Sequence, residues 1–333
     1  MYISLNITYR LLIFILLVSS LEAWSKPKAG LIYNKFTETC MGTDFTLLID
    51  HPNKIFAKKA ASMAFKEAHR LDQIFSDYIS DSELSRLSIN SGSSEFYPLS
   101  EDLFRVLAAS QKLAIETKGA FDITIGPFSR LWRIARFRKT LPNSKVLLNT
   151  HKRVGHEKLI LNYEKKEAQL LENAMVLDLG GIAKGYAADQ MLKILKEFGV
   201  SRVLIDAGGD ILLGDAPDDR SGWQIEIGGR IHPDLPILTV SNIAIATSGD
   251  FEQSVTLNDQ KFSHLINPFT GIGLTNLSQV TVLAPSAMVA DSLASACLVL
   301  GSKKGMKYLE SKQQIQAFFL EKKESRIELY RYN

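Results

Sequence analysis

The stretch from Ala174 to Ala207, AMVLDLGGIAKGYAADQMLKILKEFGVSRVLIDA, constrains the fold more than any other. AMVLDL reads as a buried strand, GGIAKG as a turn, YAADQMLKILKEF as a helix closed by Gly199, and SRVLIDA as the next strand. Together they make one βαβ-like unit. With 333 residues, 46% of them hydrophobic, the chain can bury a sizeable core around such a unit, in one large domain or two.

The flanking sequence supplies further elements of both kinds. FTLLID, Phe45 to Asp50, reads as a strand after the turn residues Met41, Gly42 and Thr43. Ile55, Ala60, Met63, Ala64, Leu71, Ile74 and Phe75 recur at three- and four-residue intervals and predict a helix near 54–75. Ser100 as N-cap and Gly119 past the end bracket a helix over 100–117. Strands are expected near 223–227, 242–246 and 278–284, then a helix from about 287 to 300 ended by Gly301. The most basic and irregular segment, 130–155 with RLWRIARFRKTLPNSK, reads as a helix and loop that extend over a site. No repeat or low-complexity linker divides the chain. The fold class expected is α+β, with mixed sheets flanked by helices in two closely packed lobes.

Charge and cysteine content narrow the function classes. Lys and Arg number 39 against 36 Asp and Glu, a net charge of +3, too weak a balance to imply nucleic acid as a partner. Cys40 and Cys297 lack metal-ligand spacing and are expected to be buried and unpaired. Residues 1–25 carry Arg10, the apolar run LLIFILLVSSL and the small-residue end Ala23-Trp24-Ser25, the pattern of a secretory signal peptide. The run falls short of the roughly 20 residues of a membrane span. The folded part, 26–333, is therefore expected to be periplasmic or otherwise extracytoplasmic.

Chemistry concentrates in four segments. In VLDLGGIAKGYAADQ a strand ending in Asp178 is followed by two glycines and a helix bearing Lys184 in its first turn. Glycines let a ligand approach the main chain, and a helix start favours anionic oxygen, so phosphate binding is the functional reading and a plain strand-to-helix turn the structural one. In ADSLASACLVLG, Asp291 and Ser295 share one face of an apolar helix. A buried carboxylate beyond the first turn must be neutralised, either by a hard cation such as Mg²⁺ on oxygen ligands or by a Lys or Arg from elsewhere. In KFSHLINPFTGIG, His264 precedes a turn and reads as a satisfied structural residue or a catalyst. In TKGAFDITIGPFSRLWR, the pair Phe121-Asp122 looks exposed, suited to a planar heterocycle or to a core and a turn. IDAGGDI and Thr247-Ser248-Gly249 read as further turns where backbone could meet ligand.

Taken together, MGTDFTLLI, FSDYISDSELSRL, KGAFDITIGPFSRLW, LDLGGIAKGYAAD, IDAGGDI, ATSGDFE, SHLINPFTG and VTVLAPSAMVADSLASACLVLG resemble, in collinear order, the FAD:protein FMN transferases of the ApbE family. The resemblance implies an extracytoplasmic, Mg²⁺-dependent enzyme that transfers FMN from FAD to a Thr or Ser hydroxyl of an acceptor protein and releases AMP. It implies flavin or adenylate contacts from Met41, Tyr78, Ala120, Phe121, Asp122, Asp178, Lys184, His264 and Leu265. The metal ligands it implies are Asp291, Ser295 and the main-chain carbonyl of Gly181. Asp291, Lys184 and His264 would be catalytic, His264 as the base. The family's acceptors include subunits of membrane redox complexes, which implies membrane proximity through the acceptor. Ser295 stands where the family usually has Thr, and Asn267 where it commonly has Asp. Serine keeps the oxygen but loses the methyl that fixes its rotamer. Two other readings are a Mg²⁺-dependent FAD pyrophosphatase and a secreted flavin-binding protein without turnover.

Overall fold

A computed structural model describes residues 33–228, 231–249, 254–257, 260–275, 278–324 and 326–332. The expected signal peptide and residues 250–252 of ATSGDFE lie outside them.

The central element is an eight-stranded sheet. Its strands are β1 (Tyr33–Cys40), β2 (Thr43–Asp50), β6 (Val203–Ala207), β7 (Asp210–Leu213), β10 (Ala244–Gly249), β15 (Ser278–Ala284), β16 (Gln316–Lys323) and β17 (Arg326–Tyr332), hydrogen-bonded in that order. From β2 to β17 neighbouring strands run antiparallel, with pairs such as Leu47 with Ile205 and Ala246 with Val282. Alternation in β2 sends Phe45, Leu47 and Ile49 inward, whereas Gln279 to Ala284 of β15 are all buried, as a central strand covered on both faces requires.

Three long helices form the layer that matters for function: α1 (Lys54–Phe75), α6 (Ala183–Glu197) and α7 (Ala287–Leu309). Helix α6 packs between the other two, and α7 lies on β10 and β15. Helix α1 begins where Asn53 accepts from the Phe56 N–H and buries Ala57, Ala60, Ala61, Ala64 and Ala68, small side chains that allow close approach. In α7 the expected stop at Gly301 is real: its φ of 72° breaks the helix, and the following Ser302 N–H donates to the Glu321 carboxylate at 2.8 Å. The helix over Glu101–Glu116 has the Ser100 cap and Gly119 exit that the sequence predicts.

A close backbone approach joins α6 to the start of α7. A Cβ added to Gly185 would sit 2.2 Å from the Ala287 carbonyl oxygen, and the Asp189 carboxylate accepts from the Ala287 and Met288 N–H groups at 2.8 and 3.0 Å. Gly185→Ala is therefore expected to destabilise the protein by about 3 kcal/mol, because neither backbone can yield. Urea unfolding would check this; a loss below about 1 kcal/mol would mean that the helices separate freely.

The βαβ-like unit is corrected in one respect. Residues 175–179 are largely buried but join no ladder, and Ala174 before them is an exposed turn residue with φ of 59°: the Asp178 N–H donates to the Ile123 carbonyl and the Leu177 N–H to Ser88 Oγ. A short buried apolar run has the same composition whether its backbone bonds a strand or a loop, which is why periodicity could not separate them. Thr247-Ser248-Gly249 is likewise the end of β10 and not a turn. Segment 130–155 forms two helices, Gly126–Arg138 and Ser144–His151, over a second small core of Phe128, Trp132, Ala135, Val154, Leu257, Phe262 and Ile266. Residues 34–333 make one compact unit with this satellite beside the main core. Both cysteines are buried and free, as expected.

Candidate functional site

The glycine turn, the Asp291 helix and the two sheet motifs converge. Lys184, in the first turn of α6, places its ammonium 2.7 Å from Asp210 Oδ2 at the head of β7 and 3.4 Å from Asp291 Oδ2 on α7. The Gly185 N–H donates to the same Asp291 oxygen at 3.2 Å. The other Asp210 oxygen accepts from the Thr247 N–H at 3.3 Å. One helical turn beyond Asp291, Ser295 Oγ lies 3.1 Å from Ser248 Oγ, and a Cβ on Gly181 would stand 2.9 Å from that Ser295 oxygen.

The charges do not balance. Asp291 and Asp210 are 3% and 5% exposed, so two carboxylates share one ammonium away from bulk water. Burial raises the Asp291 carboxyl, Lys184 opposes, Asp210 adds to the rise, and the result is pushed up to about 7. Burial by itself would lower Lys184, but Asp291 and Asp210 reverse this and hold it above its ordinary value. A basic side chain is thus one neutraliser of Asp291, and it leaves one negative charge over. The leftover charge, two hydroxyls and the adjacent main chain suit a hard oxygen-seeking cation. Among the described residues no group of three or more His, Cys, Asp or Glu side chains is placed to hold a metal. Any ion here would rely on hydroxyl, carbonyl and water oxygens beside the carboxylate.

The pH dependence has a definite sign. Asp291 takes up its proton near pH 7 when folded but near pH 4 when unfolded, so its contribution to stability is fully present below about pH 4 and lost as pH rises through about 7. In chelator, the melting temperature should fall between about pH 5 and pH 8, and Asp291→Asn should flatten that slope. Parallel slopes for the two proteins would show that another group titrates.

A second cluster flanks the first. The Arg133 guanidinium lies 2.7 Å from Asp77, 3.9 Å from Asp178 and 4.0 Å over the Tyr78 ring, which is 77% exposed. Asp178 also accepts from the Gly180 N–H at 2.9 Å. Burial raises Asp77 despite Arg133. Met41, in the β1–β2 turn with φ of 51°, donates its N–H to Asp72 at 3.4 Å. A left-handed conformation at a non-glycine residue is uncommon, though Met41 shares it with seven other described residues.

Phe121 and Asp122 are not exposed. They are 7% and 8% accessible, because Phe121 joins the main core and Asp122 accepts from the Thr124 N–H and hydroxyl at 2.8 and 2.7 Å, capping a short 3₁₀ turn. The Phe121 ring edge still reaches the glycine turn, 3.5 Å from a Cβ on Gly181, and Ala120 is buried beside it. His264 and Leu265 are half-buried between the strands Gln260–Ser263 and Ile266–Asn267, with Leu265 packed on the main core. Asn267 accepts from the Phe269 N–H at 2.9 Å and serves a turn, a task that needs no charge. For Ser295, the contact to Ser248 supplies the orientation that a Thr methyl would otherwise give.

Sequence alone does not single out Asp210, Arg133 or Asp77, and it points to Ser248 for its backbone and not for the hydroxyl that meets Ser295. Asp210 was within reach, being the second acid of IDAGGDI, but its partner Lys184 is 26 residues away. Arg133 is one cation in a basic run, and only the fold turns it inward.

The sequence pattern of the ApbE family matches residues 41–319. The FAD:protein FMN transferase of Haemophilus influenzae is 32% identical over 246 residues, spanning 71% of this chain and 70% of its own. Among solved structures, the flavin transferase ApbE of Vibrio cholerae superposes with a TM-score of 0.79 at 28% identity, covering 90% of this chain and 97% of that one. The ApbE protein of Thermotoga maritima, at 22% identity, has the same fold with a TM-score of 0.80, covering 90% and 97%. A match running from the Met41 turn through Asp291 to β16, with the fold shared over nine-tenths of the chain, means that this protein belongs to the ApbE family.

Proposed function

We propose that this protein is a flavin transferase that moves FMN from FAD to a Thr or Ser hydroxyl of an extracytoplasmic acceptor protein, releases AMP, and needs Mg²⁺ to do so. The observation that carries the reading is the buried trio of Lys184, Asp210 and Asp291, one positive charge short, beside the Ser295 hydroxyl and the Gly181 turn. Family membership and the transferase names of the relatives supply the flavin chemistry. The secretory pattern of residues 1–25 supports the extracytoplasmic location, and the family resemblance, whose acceptors include subunits of membrane redox complexes, supports an acceptor close to the membrane.

In this reading Asp291, Ser295 and the Gly181 carbonyl hold Mg²⁺, which when bound neutralises charge building on the pyrophosphate oxygens. Lys184, anchored by Asp210 and 24% exposed, offers a second positive charge to the same oxygens. Asp178 and Tyr78, tied together by Arg133, take the heterocyclic end with Met41, Leu265, Asp122 and the Ala120-Phe121 backbone. The acceptor oxygen bonds to the FMN-side phosphorus while the bridging bond to AMP breaks, and AMP leaves with the electron pair. His264 receives the hydroxyl proton, a task an imidazole can perform near neutral pH. Positioning and electrostatics dominate, as in phosphoryl transfer generally.

The test is incubation with FAD and Mg²⁺, with and without a Thr-containing acceptor, followed by mass spectrometry. An FMN adduct on the acceptor with stoichiometric AMP is expected. Free FMN regardless of acceptor would make the protein a pyrophosphatase, and intact bound FAD a flavin-binding protein without turnover.

A further inference from the structure

Eight of the chain's 39 Lys and Arg, and none of its 36 Asp and Glu, fall in residues 130–153, while the remainder of the chain is net acidic. That segment is the pair of helices over the satellite core. Their inner faces are committed: Phe128, Trp132, Ala135 and Thr150 are buried, and the Trp132 indole N–H donates to the Gly271 carbonyl at 2.8 Å. Their outer faces carry Phe137, 89% exposed, Leu148, 68%, and Ile134, 50%. Around these stand Arg130, Arg138, Lys139, Lys145 and Lys152, all exposed and in no ion pair with a described carboxylate, whereas Arg133 is spent inward on Asp77 and Asp178.

We propose that this two-helix surface docks directly on an anionic phospholipid bilayer. Fully protruding apolar side chains flanked by unpaired cations, with no acid among them, match a membrane interface: the apolar tips enter the acyl boundary and the cations meet the phosphates. A protein partner would more commonly select a recessed patch with aromatic anchors and some acids for register. None of the described helices is long and apolar enough to cross a membrane. This docking is independent of the metal-site assignment. It would hold the Gly126–Arg138 helix, whose Arg133 reaches Asp178, near the bilayer.

The experiment is co-sedimentation of the full chain with phosphatidylcholine vesicles containing about 30% phosphatidylglycerol, or none, at about 0.1 and 0.5 M salt. Binding to the anionic vesicles alone, weakened by salt, is expected. In the double variant Phe137→Ser/Leu148→Ser, with an unchanged melting temperature, affinity should drop roughly tenfold or more. Arg138→Glu/Lys145→Glu should lose the preference for anionic lipid. Equal binding to neutral vesicles, undiminished binding by the Phe137→Ser/Leu148→Ser protein (which would place the contact in the apolar leader), or no vesicle binding while the surface cross-links to a protein would each overturn the proposal.

Discussion

Lys184→Met is expected to cost about 3–5 kcal/mol of stability at pH 7.5, among the largest losses from any single side-chain replacement in this protein. The reason is the two buried carboxylates. With the ammonium gone, Asp210 keeps a backbone N–H from Thr247 and Asp291 one from Gly185, but both charges are left without a counter-ion. Asp291, which burial already raises, is then driven further toward its protonated form. The stability lost at pH 7.5 should accordingly return as pH falls toward about 5, the reverse of ordinary acid denaturation. Denaturant melts at the two pH values measure this. A penalty below about 1 kcal/mol, or one that ignores pH, would mean that water or a bound cation already neutralises the site. If added Mg²⁺ restores stability to Lys184→Met, a cation can occupy the neighbourhood of the vacated charge.

Asp291→Asn should separate catalysis from stability by moving them in opposite directions. Transfer of FMN should fall by roughly 10³-fold or more, since a neutral amide cannot hold the ion that stabilises the pyrophosphate charge. Without divalent metal, however, the variant should be more stable than the parent at pH 7.5, on the order of 1 kcal/mol. Lys184 remains paired with Asp210 at 2.7 Å, and the surplus negative charge is gone. The Gly185 N–H still finds an oxygen on the amide. Retained transfer with lowered stability would remove the metal assignment and make Asp291 a structural anion.

What could be read before the fold was known divides along physical lines. Helix ends were legible because caps are local: Ser100, Gly199 and Gly301 each stop or start a helix where the residue type requires it. Partners were not legible because they are distant. Asp291 needs a neutraliser by any reading, yet sequence left open whether an ion or a base provides it, and the answer lies 107 residues away in Lys184. Exposure of Phe121 and Asp122 was misjudged for a related reason. Thr124 satisfies the acid locally, and the burial that follows depends on the whole core. The helix start at Lys184, which the sequence suggests as a seat for phosphate, also gives one of its N–H groups to Asp291. That exchange could be seen only once α6 and α7 were laid side by side.

The Asp189 carboxylate that holds the first amides of α7 has a mechanical meaning. Because it grows from the helix that carries Lys184 and grips the one that carries Asp291 and Ser295, the two cannot slide or pivot past each other without rupturing that grip. The approach at Gly185 bars the same movement. The Lys184–Asp210–Asp291 cluster thus rests on a rigid anvil, and under the proposed function whatever motion admits a dinucleotide and an incoming polypeptide must be made by the surrounding turns and hairpins.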